Sequence, residues 1–203
     1  MKKLFLVSLI LLSTSVFAKE KTMSIDSTSW KHEEDVTDDF VFNGFGCSGK
    51  NLSPEISWKD LPKKTKSLAV TVYDPDAPTG SGWWHWIVYN IPATITSLPQ
   101  GAGKFGERKL KNGAIQNMTD FGDVGYGGPC PPQGDSPHHY FLTVHALDVD
   151  KLDIPEKASG AMAGFYINQH TIAEAGMTGF YARGGYQTII DMHDREPTKT
   201  EKK

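Results

Sequence analysis

Cysteine is nearly missing from this chain: there are two in 203 residues, Cys47 and Cys130. Two cannot build a zinc finger, and no Cys/His cluster accompanies them. HExxH pairs and GxSxG elbows are absent too, so the usual signatures of a zinc hydrolase and a serine hydrolase are not there. Basic charge is not in excess, the formal net charge being −3. That argues against nonspecific binding to nucleic acid or to an anionic membrane, though not against one local anion site. Long apolar runs are lacking after residue 18, so no later segment is expected to span a bilayer as a helix. Helical periodicity is scarce, and there is no internal repeat or linker.

What is present begins with a leader pattern. MKKLFLVSLILLSTSVFA has Lys2 and Lys3, an apolar stretch, and Val16-Phe17-Ala18 before the expected cut. This reads as a secretory signal peptide, residues 1–18, too short for a membrane anchor. No cysteine follows the cut, so no lipoprotein anchor is expected. Cleavage near Ala18 would take the formal charge to −5 and send the chain to the periplasm or outside the cell. The remainder is enough for one domain with a real core. In an exported chain the even cysteine count points to a Cys47–Cys130 disulfide; two unrelated buried thiols are the alternative. Such a bridge would join two glycine-rich loops, NGFGCSGKN and GGPCPPQG, and stabilise by roughly 4 kcal/mol in the chain-entropy model.

SLAVTVYD (67–74), WHWIVYNIP (84–92) and HYFLTVHALD (139–148) read as strands, rich in β-branched and aromatic residues. TMSIDSTSW (22–30) and PEISWKDL (54–61) read as edge or outer strands. Gly/Pro-rich loops between them predict a mostly-β sandwich or barrel. The spacing predicts one helix over 158–176, with Gly176 as its stop.

The loop DPDAPTGSGWWHW (74–86) places Asp74, Asp76 and His85 at one end of two strands. The third strand opens with His138, His139 and Tyr140, and alternation sends His138 and Tyr140 to one face and His139 to the other. If these strand ends are neighbours, Asp74, Asp76, His85, His138 and Tyr140 converge. The same alternation puts Trp84 and Trp86 opposite His85, in packing, and leaves Trp83 to wall a pocket. His145 reads as structural. Taken singly, the aspartates are ordinary turn residues. Together they allow a metal site, for which the spacing is weak, or an anion pocket in which imidazoles, a tyrosine hydroxyl and loop N–H groups donate to oxygens.

YDPDAPTGSGWWHWIVYNIP and GPCPPQGDSPHHYFLTVHALD together resemble the phosphatidylethanolamine-binding protein family, in its bacterial Raf-kinase-inhibitor-like branch of the YbhB/YbcL type. FNGFGCSGKNLSPEISW and SGAMAGFYINQHTIAEAGMTGFY extend the likeness to residues 24–182. The resemblance implies a Greek-key β-sandwich with short peripheral helices. It implies a small pocket for phosphate-like anions, such as a phospholipid head group or a phosphorylated ligand. Asp74, Asp76, Pro78, His85, Pro131, Pro132, His138 and Tyr140 match the pocket motif; Gly128 and Cys130 flank it, and His139 falls on a variable position. The family brings no metal, no cofactor and no catalytic nucleophile.

The reading is therefore a leader, 1–18, a domain of that family, 19–183, and a C-terminal extension, 184–203, without an assigned role. The function expected is that of an exported, non-enzymatic binding protein for a phosphate-bearing small molecule or a carboxylate, as monomer or homodimer. It could act as a kinase- or protease-inhibitor-like modulator. The alternatives are a metal-dependent or acid/base hydrolase using the same Asp/His cluster, and a secreted effector acting through its surface.

Overall fold

The computed structural model describes residues 22–184; the expected leader and nearly all of the C-terminal extension lie outside them. The strands are β1 (Ser24–Asp26), β2 (Glu34–Asp35), β3 (Asn43–Gly44), β4 (Cys47–Ser48), β5 (Ile56–Lys59), β6 (Ser67–Asp74), β7 (Trp83–Pro92), β8 (Ser97–Leu98), β9 (Ile115–Gln116), β10 (His138–Leu147) and β11 (Thr171–Tyr181), with α1 (Gly160–His170) before the last. A six-stranded sheet runs β2-β11-β10-β6-β7-β9, and a three-stranded sheet runs β1-β5-β8. This is the mostly-β sandwich that the sequence predicts.

The apolar runs explain the layering. One core lies between the sheets, where Ile56, Trp58 and Leu98 of the small sheet meet Val70, Val72, Trp86, Val88, Leu142 and Val144 of the large one. A second core lies on the large sheet's other face, where Ala69, Ile87, Tyr89 and Leu147 pack on Ala163 and Ile167 of α1. Central strands covered on both faces cannot alternate apolar and polar residues. β6 and β7 accordingly read as nearly continuous hydrophobic segments.

Two expectations fail here. The helix stops at His170 rather than 176, and TIAEAGMTGFY is strand, paired with β10 from His138↔Tyr181 to Leu147↔Thr171. Alanine and glutamate favour a helix locally, but ten antiparallel pairings with a long neighbour outweigh that small preference. Gly176, expected to end the helix, lies mid-strand beside Thr143. Secondly, Trp84 and Trp86 do not share a face. The register steps from Tyr73↔Trp84 to Val72↔Trp86, so β7 carries one extra residue, His85, as a bulge. Trp86 enters the core between the sheets, while Trp84 packs with the α1 side.

Gly179 in β11 marks a tight fit. A Cβ there would sit 2.4 Å from Trp30 Nε1 and 2.7 Å from Val36 Cγ2, both on buried side chains. Gly179→Ala is therefore expected to cost about 1–3 kcal/mol by overpacking. Gly176→Ala, whose Cβ would come no closer than 3.3 Å to Thr143 Oγ1, should cost less. Urea midpoints of the two variants check the ranking; equal costs would show that the Trp30 contact relaxes freely.

Candidate functional site

The ends of β6, β7 and β10 meet the loops 74–83 and 127–137 around a pocket of about 200 Å³. Asp74, Ala77, Pro78 and Thr79 form one wall, and Cys130, Pro131 and Pro132 another. Trp83 and His85 come from β7, His138 and Tyr140 from β10, and Phe45 and Phe121 close the apolar side. The volume is below the ~300–1,000 Å³ of drug-sized sites, which suits a head-group-sized ligand.

Asp74 is both turn residue and site residue. Its Oδ1 accepts the N–H groups of Asp76 (2.8 Å) and Ala77 (3.1 Å), which fixes the Pro-rich turn. Its Oδ2 accepts from His138 Nδ1 at 2.7 Å and lies 4.0 Å from His85 Nε2. His138 Nε2 faces Asp135 Oδ2 at 3.3 Å. Alternation along β10 holds: His138 and Tyr140 are buried, His139 exposed.

His85 is held from behind. Its Nδ1–H donates to the Gly127 carbonyl at 2.7 Å, and Gly127 N–H donates to the His85 carbonyl at 2.9 Å. The carbonyl can only accept, so the proton of the neutral ring is on Nδ1 and Nε2 carries a lone pair. Burial lowers the His85 pKa to about 4, so the ring is neutral at ordinary pH. Phe121 stands edge-on to it with centroids 5.3 Å apart, and Tyr140 does the same at 5.1 Å.

The Gly127-Gly128 pair allows this close clamp. A Cβ on Gly127 would fall 2.4 Å from the Phe121 ring, and one on Gly128 1.9 Å from the Phe40 carbonyl. Gly128 thus backs the wall and does not line the pocket; its N–H donates to Asn51 Oδ1, whose Nδ2 donates to the Tyr126 carbonyl. Asp76 also lies outside the lining. Its Oδ2 accepts from His139 N–H at 2.7 Å and pairs with His139 Nδ1 at 2.6 Å. Burial alone would raise the Asp76 pKa, but these bonds from His139 hold it below the ordinary carboxylate value.

Cys47 and Cys130 form a disulfide, which ties β4 to the pocket wall. Residues not singled out from sequence include Phe45, Ala77, Thr79 and Phe121 in the lining and Asn51 behind it. The aromatic content of NGFGC and TDFGD was the only visible signal. Among the described residues, no group of three or more His, Cys, Asp or Glu is placed to hold a metal ion.

Two donors on lining residues have no partner. The Tyr140 hydroxyl and the Trp83 indole N–H are buried and unbonded. Burial pushes the Tyr140 pKa well above its ordinary value, so the hydroxyl keeps its proton.

The model for the phosphatidylethanolamine-binding proteins matches residues 27–182, nearly the whole described chain. The chain belongs to the phosphatidylethanolamine-binding protein family. It is 49% identical to the UPF0098 protein YbcL of Escherichia coli K12 over 88% of this chain and 98% of that protein. It is 52% identical to YbhB of the same organism over 70% of this chain and 89% of that one. The crystal structure of E. coli YbcL superposes with a TM-score of 0.78 over 81% of this chain and all of that one, at 50% identity. A family homologue from Chlamydia trachomatis gives 0.66 at 30% identity, over 80% of this chain and 99% of that one. Apart from Phe45 and Phe121, the lining comes from the two motifs through which the sequence resembles the family.

Proposed function

We propose that the protein is an exported, non-enzymatic binding protein whose pocket holds a phosphate-like anion or a carboxylate. The observation that carries this reading is the pair of orphaned donors, Tyr140 O–H and Trp83 Nε1–H, on the lining of the family pocket. A buried donor left unbonded costs about 1–3 kcal/mol; both atoms are closed to solvent here, and a ligand oxygen that shifts the lining enough to reach them would recover it. Binding rather than nucleophilic catalysis is favoured by the hydroxyls available. Only Thr79 and Tyr140 bring one to the lining, and Thr79 already donates to the Gly82 carbonyl at 2.6 Å. Export to the periplasm is favoured by the leader pattern and by the disulfide, since such bonds persist in oxidising compartments.

Tyr140→Phe tests the reading without touching any existing bond. The variant should be as stable as the parent, because only an unsatisfied hydroxyl is lost. Its affinity for inorganic phosphate or phosphoethanolamine, by calorimetry with and without chelator, should fall about tenfold or more, as for a hydrogen bond to a charged group. His138→Ala should weaken binding likewise. Unchanged affinity in both variants would sink the assignment, and binding that needs metal would favour the hydrolase alternative.

A further inference from the structure

The outer side of α1 lacks what a water-facing helix needs. GAMAGFYINQH carries no lysine, arginine, aspartate or glutamate over its 11 residues. Gly160, Ala163, Gly164 and Ile167 are buried, as the inner side of a surface helix requires. The opposite side should then be charged, but it presents Ala161, Met162, Phe165, Asn168 and Gln169. Phe165 is 60% exposed and Met162 47%. The apolar surface continues beyond the helix. Ile172, two residues past its end, is exposed, and so is Phe141, which shares with Leu147 the α1 face of β10. Tyr73 and Trp84 continue the row from Phe141 across β6 and β7, their rings 4.6 Å apart, and Trp84 lies under Gly160 and Gly164 of the helix. Four of the six large hydrophobic side chains exposed among the described residues therefore lie on or beside this one face. Apolar surface gathered in this way marks an interaction site.

The charges around the patch select its occupant. Before the N-terminus of α1, Lys157 is exposed and, among the described residues, forms no ion pair, while Glu156 is engaged by Arg108 at 3.8 Å. At the C-terminal end stand two exposed carboxylates: Asp148, paired with His170 Nδ1 at 3.0 Å, and Glu174, 3.4 Å from His145 Nδ1. One end is thus basic and the other acidic. An anionic lipid surface would ask for a uniformly basic rim, which the carboxylates deny. A second copy turned about a two-fold axis through Phe165, the midpoint of the helix, sets each basic end against the other's acidic end. The same rotation runs the two helix dipoles antiparallel. Phe165 then meets its counterpart, Met162 meets Asn168 and Ala161 meets Gln169, with no charge between them.

We infer that the protein associates with a second copy of itself through α1, antiparallel about Phe165, with Lys157 of each copy beside Asp148 and Glu174 of the other. The helix is only about 16 Å long, so the ~800 Å² per partner of a standard interface is reached only if the Phe141 and Ile172 flanks are covered as well. The surface involved is separate from the pocket lining, so the inference does not depend on what the pocket binds.

Sedimentation equilibrium of the disulfide-bonded protein is the test. The parent should be a dimer at micromolar concentration. Phe165→Glu should weaken it about a hundredfold or more, because two like charges then meet at the axis. Phe165 is exposed, so this variant should keep the parent's circular dichroism. Phe105→Glu, an exposed phenylalanine away from α1, should leave the dimer intact. Lys157→Glu should weaken the dimer about tenfold, two exposed pairs being lost, and Glu174→Lys in the same chain should restore it. Both natural cysteines are already bonded to each other, so added thiols report cleanly. Ala161→Cys and Gln169→Cys proteins, mixed and oxidised, should cross-link to each other and neither to itself. A parent that stays monomeric up to about 100 μM, or a Phe165→Glu protein that still dimerises, would overturn the inference. Self-cross-linking of Ala161→Cys would overturn the antiparallel order. A monomer that floats with phosphatidylglycerol–phosphatidylethanolamine vesicles, and no longer does so as Phe165→Glu, would overturn it in favour of a membrane surface.

Discussion

Acidification from neutral pH to pH 4 is expected to remove about 6 kcal/mol of stability through two histidines buried as neutral rings, His85 and His145. They are 3% and 7% exposed. Burial lowers both from the ordinary imidazole value of 6.5 to about 4. His85 gives its proton to the Gly127 carbonyl; His145 Nε2 bonds Thr71 Oγ1 at 3.1 Å, with Glu174 3.4 Å from Nδ1. A depressed pKa means that the unfolded chain takes up protons first. The contribution is fully present above the unfolded pKa and is lost as pH falls towards 4, where the folded rings also protonate. Each ring supplies a slope of up to about 1.4 kcal/mol per pH unit, or about 3 kcal/mol by pH 4. Asp76, whose pKa is also lowered, acts in the same direction at lower pH. Typical domains have only about 5–15 kcal/mol in all, so unfolding near pH 4 is expected. Guanidinium unfolding at pH 7, 6, 5 and 4 measures the slope, and His145→Gln should roughly halve it. A flat profile between pH 7 and 4.5 would falsify the picture of neutral buried rings.

Loss of the Cys47–Cys130 bond should cost about 4 kcal/mol, because it closes a loop of 83 residues in the unfolded chain. Its place gives it a second consequence. Cys130 and Pro131 line the pocket, and Phe45 lies two residues before Cys47. The Arg183 guanidinium joins the same loops without a covalent bond, donating to the carbonyls of Phe45 and Pro131 at 3.3 Å each and of Gly46 at 3.3 Å. Reduction should therefore lower the unfolding midpoint sharply and anion affinity moderately, since Arg183 still holds the wall. Arg183→Ala should weaken binding more in the reduced protein than in the oxidised one. Equal midpoints with and without dithiothreitol would show that the bond constrains nothing that matters to stability.

The site was legible in part. Period-two alternation is a local property, so HHYFLTVHAL by itself put His138 and Tyr140 on one face and His139 on the other; the fold decided that the first face is the buried one. The mostly-β sandwich, the three long strands and the pairing of the two cysteines were legible for similar reasons: composition, run length and count. His85 was visible as a candidate but not as what it is. The bulge that turns it off the alternation lies in the pairing of β7 with β6, and its ring is held by Gly127, 42 residues on; neither partner is visible in the local pattern. Asp76 looks equivalent to Asp74 in DPDAP, yet one carboxylate orients His138 and the other pairs with His139 outside the lining.

The sequence by itself determined the layered β architecture, the family and which strand ends carry the chemistry, because hydrophobic period and turn residues act over a few neighbours. Tertiary structure alone decided that TIAEAG belongs to a strand rather than the helix, that Phe45 and Phe121 close the pocket, and that Tyr140 and Trp83 hold unbonded donors. Each of those facts depends on partners two dozen or more residues away in the chain or on the absence of any partner, and neither is written in a local pattern.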